Sequence, residues 1–321
     1  MKNNFTPLKF EEPLYKIESK IDELRALSEE SGMDLEDQIN TLIEQANEFR
    51  QEIYKNLKPS ERLQISRHPA RPNFLDYTTL LTDDFIELHG DRAGSDDRAI
   101  IGGLCTLGGR TVMLVGTQKG KNTKENLVYN FGMPTPEGYR KALRLFYHAE
   151  RFNLPIVTLI DTPGAYPGIK AEETGQGIAI AENLAEMAKL TVPIVAVITG
   201  EGCSGGALGL GVANRVYMLE HAYYTVISPE GCASILYRDA EMASVAADAL
   251  KITCQDLMKF DIVDGEIKEP LGGAHYDPEC VAKNLSDVVC QALDELSSKA
   301  PLELKQERYD KFRKMGVVRG L

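Results

Sequence analysis

Pro193-Ile-Val-Ala-Val-Ile198 runs without a polar interruption toward the turn Thr199-Gly-Glu201-Gly-Cys-Ser-Gly-Gly206. An unbroken apolar run of this kind reads as a strand buried on both faces. The glycine-rich turn after it opens a helix of small residues over 204–212. Upstream, Pro155-Ile-Val-Thr-Leu-Ile160 repeats the arrangement. It is followed by Asp161-Thr-Pro-Gly164-Ala-Tyr-Pro-Gly168 and a helical pattern over 172–190. Two buried strands, each leading through a turn into a helix, predict an α/β fold around a mostly parallel sheet with covered faces. The two units match in layout but not in residue identity, which is architectural similarity and not a proven internal repeat.

Outward from this centre the chain alternates strands and helices. Residues 99–107 and 110–116 read as a hairpin about Gly108-Gly109. A helix is predicted over 136–152, with Pro136 in its first turn and Ala142, Leu145, Phe146, Ala149 and Phe152 on one face. Arg67-His-Pro-Ala-Arg-Pro72 contains two prolines that fix φ and remove donors, and 61–75 reads as irregular. Before it, 14–57 reads as two helices. Leu14, Ile17, Ile21, Leu24 and Leu27 make one stripe, Gly32 interrupts it, and Asp34 can cap the next start. The second stripe is Ile39, Leu42, Ile43, Ala46, Phe49, Ile53 and Leu57. Downstream, 216–219 and 224–227 are short strands, and 240–250 and 254–260 are helical. The organisation expected is a helical arm over 1–60, a body over 61–298 and a charged tail over 299–321, helical until about Gly316.

Bulk properties exclude several function classes. The chain has 321 residues and is 43% apolar, enough for one large core or two modest ones. No apolar run reaches the roughly 18 residues that span a bilayer, and Met1-Lys-Asn-Asn-Phe5 leads into charged sequence, not a signal peptide. A cytoplasmic location is the expectation. The net charge of −12 argues against non-specific nucleic-acid binding, yet leaves room for a local basic pocket. Six cysteines form no C-x-x-C pair, so neither a disulfide framework nor a zinc ribbon is expected, and no metal site is read in this chain.

Three loops carry possible chemistry. The Asp161–Gly168 loop lies at the C-terminal end of a parallel strand, where ligands bind in open α/β sheets. Asp161-x-x-Gly164 also matches the acidic motif of GTP-binding proteins. That reading fails because Gly116-Thr-Gln-Lys-Gly120-Lys121-Asn122 has neither the spacing nor the Ser or Thr of a phosphate loop. The second loop, Gly202-Cys-Ser-Gly-Gly206, satisfies G-x-S-x-G on a strand-to-helix turn. Ser204 is therefore one candidate nucleophile, with Asp264 or Asp239 and His275 downstream. A competing reading uses the backbone. Gly205 and Gly206 begin a helix whose first amides lack intrahelical acceptors and whose dipole suits negative charge. Such preorganised donors stabilise an oxyanion by a few kcal/mol each. Tight packing through Ala207, Gly209, Gly211 and Ala213 is the third alternative. The last loop, Gln118-Lys-Gly-Lys121-Asn-Thr-Lys124, is basic within an acidic protein. It is either an anion contact or an ordinary solvated loop.

Longer runs carry a resemblance. Arg67–Pro72, Glu87-Leu-His-Gly-Asp91-Arg92, Asn130-Phe-Gly-Met-Pro134, Pro136-Glu-Gly-Tyr-Arg-Lys-Ala142, Asp161–Gly168, Ser204-Gly-Gly-Ala-Leu208, Ile227-Ser-Pro-Glu-Gly-Cys-Ala-Ser-Ile235 and Glu269-Pro-Leu-Gly-Gly-Ala-His275 together resemble the alpha subunits of bacterial acetyl-CoA carboxylase carboxyltransferase. The match extends from the arm to about residue 280. Cys203 departs from the glycine common in that family. The resemblance implies a crotonase-like (ClpP/crotonase) spiral of ββα units behind the N-terminal helical arm. It implies transfer of a carboxyl group from carboxybiotin, on a separate biotin carboxyl carrier protein, to acetyl-CoA, giving malonyl-CoA for fatty-acid synthesis. A beta subunit that carries the zinc ribbon, an α2β2 assembly and a biotin carboxylase acting beforehand are implied as partners. On this basis Gly205 and Gly206, with Gly164 and Ala165, are expected to supply backbone donors. Tyr166 is expected to shape the pocket, and Lys119, Lys121, Lys124 and Arg140 to meet anions near its mouth. Ser204 is expected to cap the helix.

Overall fold

In the computed structural model, residues 7–316 are described. Eight strands form one sheet, in the order β1 (Ile86–Glu87), β2 (Ile100–Leu107), β3 (Arg110–Thr117), β4 (Ile156–Thr162), β5 (Ile194–Cys203), β6 (Arg215–Leu219) and β8 (Gly265–Ile267). The remaining strand, β7 (Tyr223–Thr225), pairs with the far end of β5. The first three strands are antiparallel and the others parallel. Every residue of β4 and β5 is buried, as their unbroken apolar runs require. The amphipathic helix Pro136–Arg151 lays Tyr139, Ala142, Leu145, Phe146 and Ala149 on the core.

Several boundaries differ from the sequence reading for physical reasons. Residues 59–66 are helical, not irregular: Pro59 sits in the first turn, and Glu61 reaches back to accept the Lys58 N–H at 2.7 Å. The helix expected over 172–190 is two helices, Ile169–Glu173 and Gln176–Met187, because Gly175 takes φ +90° between them. Strand β5 continues past Ile198 to Cys203, hidden from pattern reading by its polar and glycine residues. The helix Pro278–Ser297 buries Val281, Leu285, Val289 and Leu293 on the sheet and is absent from the sequence reading. Charge over 301–314 also concealed a docked element. Helix Pro301–Lys314 buries Leu304 and the whole of Arg308.

The N-terminal helices, Glu12–Ser31 and Glu36–Lys55, form a hairpin with its own small core around Leu14, Ile21 and Ala46. Asp34 accepts the Glu36 N–H between them. The hairpin meets the body where the Tyr54 hydroxyl donates to Glu11 and to the Gly272 carbonyl. Arg50 lies 5.4 Å from the centroid of the Tyr276 ring. No helix among the described residues is long and apolar enough to cross a membrane.

Candidate functional site

The turn after β5 meets the loop after β4. A Cβ placed on Gly206 would stand 2.5 Å from both the Ala165 nitrogen and the Gly164 carbonyl carbon, so the two backbones touch. The helix Ser204–Gly211 starts at this contact. Its first amides, including those of Gly205 and Gly206, lack intrahelical acceptors. Gly205 is open: its nearest neighbours are Ile180 side-chain atoms at 3.6 Å. The Gly206 carbonyl accepts from the buried Tyr139 hydroxyl at 3.1 Å, which holds the first turn from behind. Thus Gly164, Ala165, Gly205 and Gly206 are brought to one place, but the Gly164 N–H is already donated to the Thr162 hydroxyl at 3.1 Å, which leaves the Ala165 amide as that loop's donor.

Ser204 does not cap this helix. Cys203 occupies the N-cap position and no side-chain cap hydrogen bond is made. Ser204 is the first helical residue, exposed, with φ +56°. A left-handed residue between strand and helix is elbow-like geometry, but its proposed partners are engaged elsewhere. Asp264 accepts the Val216 N–H and pairs with Lys311, and Asp239 accepts the Glu241 N–H. His275 stacks on His68 with ring centroids 4.0 Å apart. No hydrogen bond among the described residues connects any of these groups to Ser204.

The remaining predicted residues lie in other settings. Lys119 is half-buried, and its ammonium donates to Asp161 and Glu201, each at 2.6 Å. Burial opposes its charge, but the two carboxylates outweigh burial and raise its pKa above the usual lysine value. Lys121 pairs with Asp76 at 2.7 Å. Arg140 lies near Asp91 and Glu137 and donates to the Thr174 carbonyl at 3.1 Å. Lys124 is exposed. Tyr166 borders a different, acidic cavity with Asp97 and Lys170, and not the one lined by Gly205. No group of His, Cys, Asp or Glu suited to a metal ion occurs among the described residues.

Sequence reasoning missed the charge network behind the turn. Arg67 donates from Nε to Glu201 at 2.7 Å, from Nη1 to Glu230 at 2.6 Å and from Nη2 to the Tyr223 hydroxyl at 3.0 Å. Burial works to raise the Glu201 pKa; Lys119 and Arg67 outweigh it and hold it down to about 2. Arg71 makes a two-pronged, fully buried pair with Glu269 at 2.6 and 2.8 Å and donates to the Thr199 carbonyl at 2.9 Å. The Arg67–Pro72 run is therefore a strap whose two arginines grip β5. An arginine pair flanking His-Pro-Ala was the available signal, but its acidic partners lie far off in sequence.

Beside the strap, His221 is buried and its pKa is pushed down to about 4, chiefly by desolvation. His275 is pushed down to about 3 by the same cause. Both are neutral when folded and ionise near 6.5 when unfolded, so stability falls as pH drops below 6.5. At pH 5 each costs about 2 kcal/mol. The depressed carboxylates Glu201 and Glu269 keep their contribution until pH falls below about 4.5. The urea midpoint is expected to drop clearly between pH 7.5 and 5. A midpoint constant down to pH 5 contradicts neutral histidines.

On the other side of the turn, Ser204, Gly205 and Leu208 border an apolar cavity of about 520 Å³ closed by Tyr224, Phe260 and Phe312. Donor amides at the mouth of an apolar cavity suit a small ligand with one oxygen that gains negative charge.

Comparison with known proteins gives this geometry a family. The chain resembles solved crotonase-fold enzymes. A transcarboxylase 12S chain superposes with a TM-score of 0.58 at 21% identity, covering 71% of this chain and 42% of that one. The beta subunit of P. aeruginosa geranyl-CoA carboxylase gives 0.56 at 17% identity, covering 82% and 48%. This chain spans less than half the length of either, and these likenesses establish the crotonase-like fold. Among curated relatives, the acetyl-coenzyme A carboxylase carboxyl transferase subunit alpha of Synechocystis sp. is 54% identical over 309 residues, 96% of this chain and 95% of the relative. The protein of the same name from Prochlorococcus marinus is 55% identical over 309 residues, 96% and 94% of the two chains. The family model described as acetyl co-enzyme A carboxylase carboxyltransferase-like matches residues 7–316. On this match over nearly its whole length, the chain belongs to the acetyl-coenzyme A carboxylase carboxyltransferase family, among the alpha subunits.

Proposed function

We propose that the amides of Gly205 and Gly206, together with the Gly164–Ala165 loop, hold negative charge on the ureido oxygen of biotin while acetyl-CoA is carboxylated to malonyl-CoA. Carboxybiotin, borne on a biotin carboxyl carrier protein loaded by a biotin carboxylase, supplies the carboxyl group. This chain's part is electrostatic: fixed N–H donors at a helix start stabilise charge without reorganising as it develops. The observation that carries the reading is the backbone contact of Gly206 with Gly164 and Ala165, which joins two donor-bearing turns. The thioester oxygen is left to a beta subunit in a cytoplasmic α2β2 assembly, which completes the site.

Malonyl-CoA decarboxylation with free biotin tests this. The chain alone is expected to be inactive, and the chain with beta active. Ser204→Ala should retain most of that activity, because the backbone donors are unchanged. Loss of several orders of magnitude in Ser204→Ala would sink the assignment. That outcome belongs to the rival reading, a serine hydrolase, which the left-handed φ of Ser204 favours. The rival also predicts acyl-CoA hydrolysis by the chain without beta.

A further inference from the structure

The two donor turns are placed by an irregularity in the sheet. Strands β4 and β5 pair in regular register from Ile156↔Ile194 to Ile160↔Ile198. The next pair is Thr162↔Gly202. Asp161 alone on β4 is thus matched by Thr199, Gly200 and Glu201 on β5, so β5 gains two residues just before the turn. A shift of this kind costs ladder hydrogen bonds and persists where something replaces them.

The Asp161 side chain is the replacement. Its Oδ1 accepts the Glu201 backbone N–H at 2.7 Å, a bond the ladder no longer supplies. The same oxygen accepts from Lys119 Nζ at 2.6 Å. Lys119, two residues beyond β3, also holds the Glu201 carboxylate, so one ammonium ties together the ends of three strands. The Asp161 N–H donates to the Thr117 hydroxyl of β3 at 2.6 Å. The carboxylate fills the space beside Gly200, where a Cβ would stand 2.5 Å from Oδ1. Gly164 follows Asp161 by three residues, and Gly205 follows Glu201 by four. The join that creates the extra β5 residues therefore sets how the two donor turns meet.

We infer that Asp161, braced by Lys119, is a positioning residue for carboxyl transfer: it fixes the β4–β5 shift and thereby aligns the amides of Gly205 and Gly206 with the Ala165 amide of the neighbouring loop. It touches no substrate. The inference rests on the donor reading above, and it adds a dependence that reading does not require.

The test is steady-state malonyl-CoA decarboxylation, with free biotin, by variants assembled with beta. Asp161→Ala is expected to lower kcat about 30-fold while leaving KM for malonyl-CoA within about threefold, since small misalignment of donors is costly to turnover. Asp161→Asn keeps an acceptor for the Glu201 N–H and should recover most of kcat. Gly200→Ala, which adds no functional group, should reproduce the kcat loss by displacing the carboxylate. The double variant Gly200→Ala/Asp161→Ala should be no worse than Asp161→Ala, because the clash is gone. If Asp161→Ala does not assemble, Gly200→Ala against Asp161→Asn carries the comparison, with kcat lost in the first and mostly retained in the second. Wild-type kcat in Asp161→Ala or Gly200→Ala overturns the inference. So do multiplying losses in the double variant, or a defect confined to KM. An inactive Ser204→Ala variant would instead remove the donor reading itself, whatever the Asp161 variants do.

Discussion

Gly206→Ala is expected to lose at least about 100-fold in carboxyl transfer by the assembled enzyme, whereas Gly205→Ala stays within about threefold of wild type. The two glycines are neighbours in one helical turn, yet their surroundings are opposite. The methyl group at 206 would stand 2.5 Å from the Ala165 nitrogen and the Gly164 carbonyl carbon, and 2.8 Å from the Gly164 Cα. Those are backbone atoms and cannot rotate aside, so one of the donor-bearing turns must move. At 205 the nearest atoms are Ile180 methyls at 3.6 Å, an ordinary contact, and the backbone is not left-handed. Alanine there keeps the N–H and restricts the unfolded chain, so Gly205→Ala should also stabilise the fold by roughly 0.4–1 kcal/mol, seen as a higher urea midpoint. Turnover per assembled complex is the measurement, with assembly followed separately by size-exclusion chromatography. If Gly206→Ala impairs only assembly and the assembled fraction turns over normally, the glycine serves packing and the donor reading loses its support.

That contrast also shows where sequence reading stops. Residues 193–206 disclosed a buried strand, a turn and a helix start because each has a local signature: an unbroken apolar run, then glycines, then small residues. The hairpin about Gly108-Gly109 and the two arm helices were legible for the same reason. Nothing local distinguishes Gly205 from Gly206, since the difference lies in what the distant 164–165 loop places against them. Lys119 reads as one basic residue in a basic loop, and only folding shows Asp161 and Glu201 closing on its ammonium. Ser204 looks like a cap by type, but Cys203 precedes the helix at the N-cap and Ser204 enters it with a left-handed φ. At the C-terminus the expected helix is present, but its charge hid that it packs on the body.

The second large effect is predicted at that helix. Arg308→Met should destabilise the protein by about 3–5 kcal/mol, because it strips donors from several buried carbonyls at once. Arg308 is 0% exposed and faces no carboxylate within ion-pair distance among the described residues. Its charge is held instead by carbonyl dipoles. Nη1 donates to the Met187 and Leu190 carbonyls, both at 2.7 Å, and Nη2 to the Val192 carbonyl at 3.0 Å and to Asn214 Oδ1 at 2.6 Å. Met187 ends the helix 176–187, so the guanidinium sits at the negative end of a helix dipole. Desolvation pulls its pKa down to about 10, and it therefore stays charged at neutral pH. Methionine fills similar volume but strips this donor from the Met187, Leu190 and Val192 carbonyls, each costing about 1–3 kcal/mol, while Asn214 Oδ1 still accepts the Ile194 N–H. Lysine retains the charge but cannot fork to four oxygens, so Arg308→Lys should recover only part of the loss. The consequence reaches the site, because Phe312, on the same helix, closes the apolar cavity that Ser204 and Gly205 border. Arg308→Met should therefore lower the urea midpoint, expose 301–314 to limited proteolysis and weaken carboxyl transfer together. If the midpoint holds while the helix becomes cleavable, Arg308 secures only the local docking of this segment; if neither changes, the carbonyls have found other donors and the arginine is dispensable.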